Sequence, residues 1–293
     1  MKENVRRPRV LLTNDDGISS RGLRVFAQLL GKYAEVTVVA PVQAQSGMSA
    51  ALSLEQPLYL KHLRHDGTAD WWSFNGTPVS CVKVALNEIF DYETGNMPDF
   101  VFSGVNIGSN CSVASIYSGT LGACIEGILY NVPSVGFSIC THDNECDMSA
   151  IETFGDRILS LIFSGAYRIK PDTYLNVNFP SLPSSQVKGI RAGIRGRGRW
   201  IREYAHRNDE EHGAHLFMAG TFENLEPEGS MGDHTLVEDG YVSVVPLSVD
   251  YTDYQESAAF RDSNENNWYN FCYSDQFAVC FRQPSGGRNI YSD

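Results

Sequence analysis

The chain has 293 residues, of which 42% are hydrophobic and 20% are charged. This composition is that of an ordinary globular protein with a sizeable core, which excludes the collagen-like, coiled-coil and disordered classes. With 23 basic and 35 acidic residues the formal net charge is −12, so we expect neither a nucleic-acid duplex nor a membrane as a partner.

Predicted strands and helices alternate along the first 180 residues. Short apolar runs predict buried strands, and apolar residues spaced i, i+3, i+4 and i+7 predict amphipathic helices. Thr77 and Pro78 predict the start of a helix, as its N-cap and first residue. The predicted strands are residues 9–13, 35–40, 99–102, 132–139 and 174–179, and the predicted helices begin near residues 23, 77, 120 and 151.

Continuously apolar strands that alternate with helices are typical of a parallel sheet covered on both faces. We therefore expect an α/β fold, a doubly wound and mostly parallel sheet over residues 9–180. After Pro180 the sequence changes to Gly/Arg-rich and β-like segments, which predict β-hairpins or arms over residues 181–252. The role of a C-terminal extension, residues 253–293, stays open.

Three loops that follow predicted parallel strands carry oxygen ligands. Asp15 and Asp16 follow the first strand, Ser46 the second and Asn106 the third. Since ligands bind beyond the carboxyl ends of strands in open parallel sheets, we expect these side chains to converge. Carboxylate, hydroxyl and amide oxygens suit Mg²⁺ or Mn²⁺. The alternative is a hydrogen-bonded turn around the two aspartates, with no metal.

The loop after the third strand continues through small residues to a second turn, Ser118-Gly119-Thr120, ahead of a predicted helix. Small residues let the backbone approach phosphate oxygens, and a helix N-terminus offers free N–H groups to an anion. The pattern indicates a phosphate-binding loop, with a purely structural turn as the alternative. The sequence has no Walker A motif, GxGxxG fingerprint or GxSxG elbow.

The seven cysteines are scattered and form no CxxC pair, so neither a zinc ribbon nor a thioredoxin-type redox site is predicted. The N-terminal segment lacks the apolar stretch of a signal peptide, and no run of about 18 apolar residues follows. The expected location is the cytoplasm, where the cysteines would stay reduced.

Several blocks of this sequence together resemble the SurE survival-protein family, over residues 9–252. Cys111 and Ser112 depart from the family's usual continuation after Asn110. The blocks that carry the resemblance are Leu11–Ile18, Val39–Ser49, Gly76–Pro78, Ser103–Asn110 and Tyr117–Thr120.

The resemblance implies a Rossmann-like fold with β-arms used to form a homodimer or homotetramer. It implies a metal-dependent phosphatase that acts on nucleoside 5′-monophosphates, a 5′-nucleotidase. The preferred base, and any action on 3′-nucleotides or short polyphosphate, stay open. One divalent metal ion per subunit, Mg²⁺ or Mn²⁺, would be held by Asp15, Asp16, Ser46 and Asn106.

The same resemblance implies where the phosphoryl group binds. Asp15, Asp16 and Asn110 are the candidate catalytic residues, although an aspartate could be a nucleophile or only a metal ligand. The adjacent Asp-Asp pair favours an activated water. The candidate phosphate-binding residues are Asn14, Ser103, Gly104, Asn110, Ser118, Gly119 and Thr120.

Two alternatives of other classes stay open. A metal-dependent deacetylase also has paired aspartates after its first strand, but it would have a histidine where Asn14 stands. A non-catalytic nucleotide-binding assembly protein would keep the pocket without turnover. The four histidines between residues 206 and 234 are interpreted as surface residues, so no general acid is assigned.

Overall fold

A nine-stranded, mostly parallel sheet lies at the centre of the computed structural model, which describes residues 6–264. The strands are β1 (Arg9–Thr13), β2 (Glu35–Pro41), β3 (Leu60–His65), β4 (Ala69–Phe74), β5 (Phe100–Ile107), β6 (Ser134–Cys140), β7 (Thr173–Pro180), β8 (Gly189–Ala192), β9 (Gly198–Ile201), β10 (Tyr204–Asp209), β11 (Gly213–Met218), β12 (Thr221–Asn224) and β13 (Tyr241–Ser248).

Helices connect most of the central strands. They are α1 (Arg21–Leu30), α2 (Pro78–Val84) with a π-helical continuation (Ala85–Ile89), α3 (Ala114–Tyr117), α4 (Gly119–Leu129), α5 (Asp156–Phe163) preceded by a π-helical segment (Ile151–Gly155), α6 (Asp233–Glu238) and α7 (Tyr254–Asn264). Among the residues that the structure describes, none of these helices is long and apolar enough to cross a membrane.

The order of strands in the sheet is β3-β4-β2-β1-β5-β6-β7-β13-β8. From β4 to β7 each neighbouring pair is parallel, whereas β3 pairs with β4, and β13 with β7, in antiparallel orientation. The carboxyl ends of β1, β2, β5, β6 and β7 therefore meet at one edge of the sheet.

Side chains of β1 alternate between two hydrophobic cores, as the pleat of a strand requires. Val10 and Leu12 pack in the core that contains residues of α1 and α5. Leu11 packs in the opposite core, with residues of α2 and α4. Helices thus cover both faces of the sheet, which confirms the predicted doubly wound α/β fold.

Hydroxyl side chains cap the helices that surround the carboxyl edge. Thr77 caps α2, where its Oγ1 accepts from Ser80 N at 3.3 Å and Pro78 is the first helical residue, as predicted. Ser20 caps α1 and Ser118 caps α4 in the same way. A cap satisfies one of the N–H groups that have no partner within the helix, which fixes where each helix begins.

The region predicted as an arm, residues 181–252, divides into two parts. Strands β8 and β13 extend the central sheet, while β9 pairs with β12 and β10 pairs with β11 in separate two-stranded sheets. Residues up to Val249 form one compact unit, and the second unit begins at Asp250. Helix α7 lies in that second unit, and most of the predicted extension, residues 253–293, lies outside the described residues.

Candidate active site

Three loops meet at the carboxyl edge of the sheet, after β1, β2 and β5. In the ladder between β1 and β5, Thr13 lies opposite Ser103, and the end of β5 reaches back to the loop after β1, because Ile107 N donates to Asp16 Oδ2. The loop after β2 is attached to this point, because Gln45 N donates to Asp15 O at 2.7 Å. The convergence predicted from the strand pattern is therefore present.

Asp15 is buried against the N-terminus of α4, with 5% of its surface exposed. Its Oδ1 accepts a hydrogen bond from Thr120 Oγ1 at 2.6 Å. Burial raises the pKa of this carboxyl, while hydrogen bonds from Thr120 and from the Gly119 backbone act in the opposite direction. The positive end of the helix dipole also favours a carboxylate here.

Asp16 lies next to it and is half-buried. Its Oδ2 accepts from Ile107 N at 3.1 Å, which ties the end of β1 to the end of β5. Burial and then the neighbouring Asp15 carboxylate raise the pKa of Asp16 to about 6, against the lowering effect of the Ile107 N–H. Because the Asp15 carboxylate raises the pKa of its neighbour Asp16, a cation bound between the two would relieve this repulsion.

Asn106 lies at the end of β5, the strand that neighbours β1. Its Nδ2 donates to Gly108 O at 2.9 Å, which turns the amide so that Oδ1 remains as an acceptor on the other side. Ser46 lies in the exposed part of the loop after β2, next to the attached Gln45. Asp15, Asp16 and Asn106 are thus brought to one place, with Ser46 on the most accessible of the three loops.

The oxygen chemistry of this edge fits a hard divalent cation. Within residues 6–264 there is no group of three or more His, Cys, Asp or Glu side chains that could hold a metal. The candidate set instead combines two carboxylates with amide and hydroxyl oxygens, which is a ligand set for Mg²⁺ or Mn²⁺. Because Mg²⁺ keeps several of its waters, two protein carboxylates are sufficient.

Several buried polar atoms have no hydrogen-bond partner among the described residues, and two of them belong to candidate phosphate-binding residues. They are Asn14 Oδ1 and Ser103 Oγ. The amide nitrogen of Asn14 is engaged with the turn, because it donates to Gly17 O at 3.1 Å and to Ser20 Oγ at 2.8 Å. Buried polar atoms are nearly always paired with protein, water or a ligand, so these two atoms favour a polar ligand at this edge.

One glycine lets β5 pass close to β6, and another lets the start of α4 pass close to Asp15. Gly104 has a φ of +126°, and a Cβ there would come within 2.2 Å of the Phe137 carbonyl oxygen. A Cβ on Gly119 would lie 3.0 Å from Asp15 Cβ and 3.1 Å from its Oδ2. A larger residue at position 119 would therefore push the first turn of α4 away from the carboxylate.

The predicted phosphate turn at the start of α4 has two roles in the structure. Ser118 is the N-cap, and its Oγ accepts from Leu121 N at 3.1 Å. Thr120 donates to Asp15. These side chains are thus used to build the start of the helix and to hold the carboxylate. The N–H groups of Gly119 and Thr120 also bond to Asp15, and that of Leu121 bonds to Ser118, so the turn positions the carboxylate and these N–H groups are not free for a phosphoryl group.

Asn110 is held by a network of buried polar side chains at the ends of β6 and β7. Its Nδ2 donates to Ser138 Oγ at 2.8 Å, and its backbone N–H donates to Asn178 Oδ1 at 3.0 Å. Asn176 Nδ2 donates to the Asn110 carbonyl at 2.8 Å, and Asn178 Nδ2 donates to Asn176 Oδ1 at 2.9 Å. This network fixes the position of Asn110 at the ends of β6 and β7.

The sequence analysis assigned no role to Asn176 and Asn178. A usable signal was present in the sequence, because two asparagines stand at i and i+2 in a predicted strand, residues 174–179, that is otherwise apolar. The structure shows both of them fully buried. Residues at i and i+2 face the same side of a strand. Paired polar side chains on one buried face indicate a specific hydrogen-bonding partner.

Comparisons with known proteins point to one family. A family model described as "Survival protein SurE" matches residues 10–202. The "5′-nucleotidase SurE" of Chlorobium luteolum is 36% identical over 252 residues, which are 86% of this chain and 94% of that protein. The protein of the same name from Bacteroides fragilis is 35% identical over 249 residues, 85% of this chain and 94% of its own length.

A solved structure with a similar fold comes from the same family. The crystal structure of the SurE protein from Aquifex aeolicus matches with a TM-score of 0.73 and 30% sequence identity, and the match covers 87% of this chain and 99% of that one. The family match, the relatives and the fold agree with the sequence blocks that surround the paired aspartates. The chain belongs to the SurE family.

Proposed function

We propose that this protein is a divalent-metal-dependent phosphomonoesterase that hydrolyses nucleoside 5′-monophosphates to nucleoside and phosphate. The relatives' name, 5′-nucleotidase, supports the reaction and substrate. The observation that carries the proposal is the buried Asp15 carboxylate at the start of α4, beside Asp16 and Asn106. This arrangement places a cation site at the carboxyl edge, where open parallel sheets bind their ligands.

One divalent ion per subunit, Mg²⁺ or Mn²⁺, would be held by Asp15, Asp16, Asn106 and Ser46. When bound, such an ion acts as a Lewis acid on a phosphoryl oxygen. Thr120 keeps the Asp15 carboxylate in place through its hydroxyl, and the Ile107 N–H does the same for Asp16. The two carboxylates therefore need little rearrangement to accept the ion.

The phosphoryl group would lie between the aspartates and the loop that contains Asn110. The Asn110 amide would donate to its oxygens, and Ser103 Oγ is a further polar atom at this place. The Asn14 amide oxygen only accepts hydrogen bonds, so it suits the ion or a water rather than a phosphoryl oxygen. Donors that are fixed before the reaction stabilise charge that develops in the transition state. The Asn176–Asn178 pair fixes the backbone of Asn110, and Ser138 fixes its side-chain amide.

Metal removal tests the proposal directly. We expect release of phosphate from AMP to fall by about 10²-fold or more after EDTA treatment, because the loss of several kcal/mol of charge stabilisation corresponds to that factor. Added Mg²⁺ or Mn²⁺ should restore the rate. Full activity in the chelated protein would contradict the metal site. Assays of 3′-nucleotides and short polyphosphate under the same conditions define the substrate range.

We also propose a homodimer or homotetramer formed through the β10–β11 hairpin. Phe217 and Met218 on this hairpin are 52% and 72% exposed, and exposed apolar clusters commonly mark subunit contacts. Light scattering should give at least twice the chain mass of 32.5 kDa, and Met218→Glu should lower it. A mass near that of one chain at micromolar concentration would contradict this prediction.

The cytoplasm is the compartment that we propose for this protein. In the part of the chain that the structure describes, Cys81, Cys111, Cys124, Cys140 and Cys146 are free thiols. Most of them are buried beside apolar side chains. Thiols stay reduced in the cytoplasm, whereas oxidising compartments favour disulfides. Free thiols of this kind support an intracellular location.

A further inference from the structure

We propose that the cavity beside Asn110, at the carboxyl ends of β6 and β7, binds the nucleoside part of the substrate. This inference rests on the proposed function, since it concerns the non-reacting part of the same molecule. The cavity has a volume of about 390 Å³, which is within the range of small-molecule sites. Ser109, the residue directly before Asn110, is one of the residues that line the cavity.

The position of the cavity suits a ligand that extends away from the aspartates. Strands β6 and β7 are the second and third strands from β1 in the sheet. Since neighbouring strands are about 4.8 Å apart, the cavity lies roughly 10–14 Å along the edge from the end of β1. A nucleoside monophosphate with its phosphoryl group at Asp15 and Asp16 reaches this far, whereas inorganic phosphate does not.

The lining has the chemistry that a nucleoside requires. Pro180, Leu182 and Val237 supply apolar surface for the faces of a base, and His142 adds an exposed imidazole ring. Glu238 lies at the rim, where its Oε1 is 3.3 Å from His234 Nε2. A mostly apolar pocket with a few polar groups at its rim is typical of sites for heteroaromatic ligands.

A second cavity near the aspartates is less suitable for a base. It has a volume of about 400 Å³ and touches Asp16, but Arg21, Arg24 and Glu145 form much of its wall. The Arg21 guanidinium is already engaged, since Nη1 donates to Cys146 O at 2.7 Å. Placing an apolar base among charged groups would desolvate them without compensation, so we assign the nucleoside to the cavity beside Asn110.

Blocking each cavity in turn distinguishes the two. Ser181 is exposed and lines the first cavity, and Glu145 is exposed and lines the second. Ser181→Trp should raise the KM for AMP, and weaken AMP binding in calorimetry, by about tenfold or more, because it removes the contacts of a binding pocket. Glu145→Trp, the matched control, should leave both values within about twofold, as expected for a surface substitution.

A substrate without ribose or base separates nucleoside binding from the reaction itself. In Ser181→Trp, kcat/KM for p-nitrophenyl phosphate should remain within about twofold of the wild type, as for a surface substitution that touches no reacting atom. An equal loss for both substrates in a folded variant would overturn the proposal, because the phosphoryl site would then be affected. No change for AMP, or a rise in KM for AMP in Glu145→Trp, would overturn it as well.

Cys140 provides a measurement that does not depend on turnover. Its thiol lines the same cavity and is only half-buried. Site-resolved mass spectrometry should show that AMP slows alkylation of Cys140 by iodoacetamide, while inorganic phosphate does not. If AMP gives no protection, the nucleoside does not lie there. A failure of the proposed function has a different signature, in which the wild type releases phosphate from neither substrate although AMP still protects Cys140.

Discussion

Replacing Asp15 with asparagine is expected to lower kcat/KM for AMP by roughly 10³-fold or more, since a charge contact worth several kcal/mol is lost. The change removes one of the two adjacent carboxylates but keeps the shape of the side chain. An asparagine oxygen can still accept the 2.6 Å hydrogen bond from Thr120, so the first turn of α4 should stay in place. Phosphate release at saturating Mg²⁺ measures the effect.

The same variant should gain stability without metal. Because burial raises the pKa of the Asp15 carboxyl, the folded protein bears a cost for keeping it charged, and a neutral amide removes that cost. We expect Asp15→Asn to melt at a higher temperature than the wild type in EDTA and to lose the stabilisation that Mg²⁺ gives the wild type.

Asp172 offers a matched control for this substitution. It is exposed directly before β7, at the opposite edge of the sheet from the site. Asp172→Asn should change the rate by no more than about twofold. If Asp15→Asn kept near-normal turnover at saturating Mg²⁺, the carboxylate would not be a metal ligand, and the turn around Asn14 would be only structural.

Much of the fold could be predicted from local patterns. β1 spans Arg9–Thr13 as predicted, because a continuous apolar run ends at a turn sequence. β3 was missed, because its exposed side chains, among them Lys61 and Arg64, give no apolar run. The position of β13 beside β7 was not predictable either, since pairing between strands that are distant in sequence leaves no local signal.

The candidate site was predictable only in part, for a similar reason. Parallel strands bring the loops that follow them to one edge, which is sufficient to predict that Asp15, Asp16 and Asn106 converge. The hydrogen bond from Thr120 to Asp15 joins residues 105 positions apart, and a sequence pattern does not specify such a contact. The cavity beside Asn110 likewise depends on how α6 packs against the ends of β6 and β7.

Asn110→Ala is expected to lower kcat for AMP by about 10²–10³-fold and to change KM much less, as is usual for the loss of a donor aimed at developing charge. An amide nitrogen carries two N–H donors, and the bond to Ser138 Oγ uses one of them. The backbone of Asn110 is held at both ends by Asn176 and Asn178, so the alanine variant should keep the path of the loop. Steady-state kinetics and a melting curve on the same preparation measure both effects.

Ser138→Ala separates this catalytic role from a structural one. Both substitutions break the 2.8 Å bond between Asn110 and Ser138, but only Asn110→Ala removes the amide. Leaving a buried donor unpaired costs about 1–3 kcal/mol, so Ser138→Ala should melt at a lower temperature while it keeps most of its kcat. If the amide only supports the loop, the two variants should lose stability alike and both retain normal kcat. A normal kcat in folded Asn110→Ala would therefore place the phosphoryl group away from this loop.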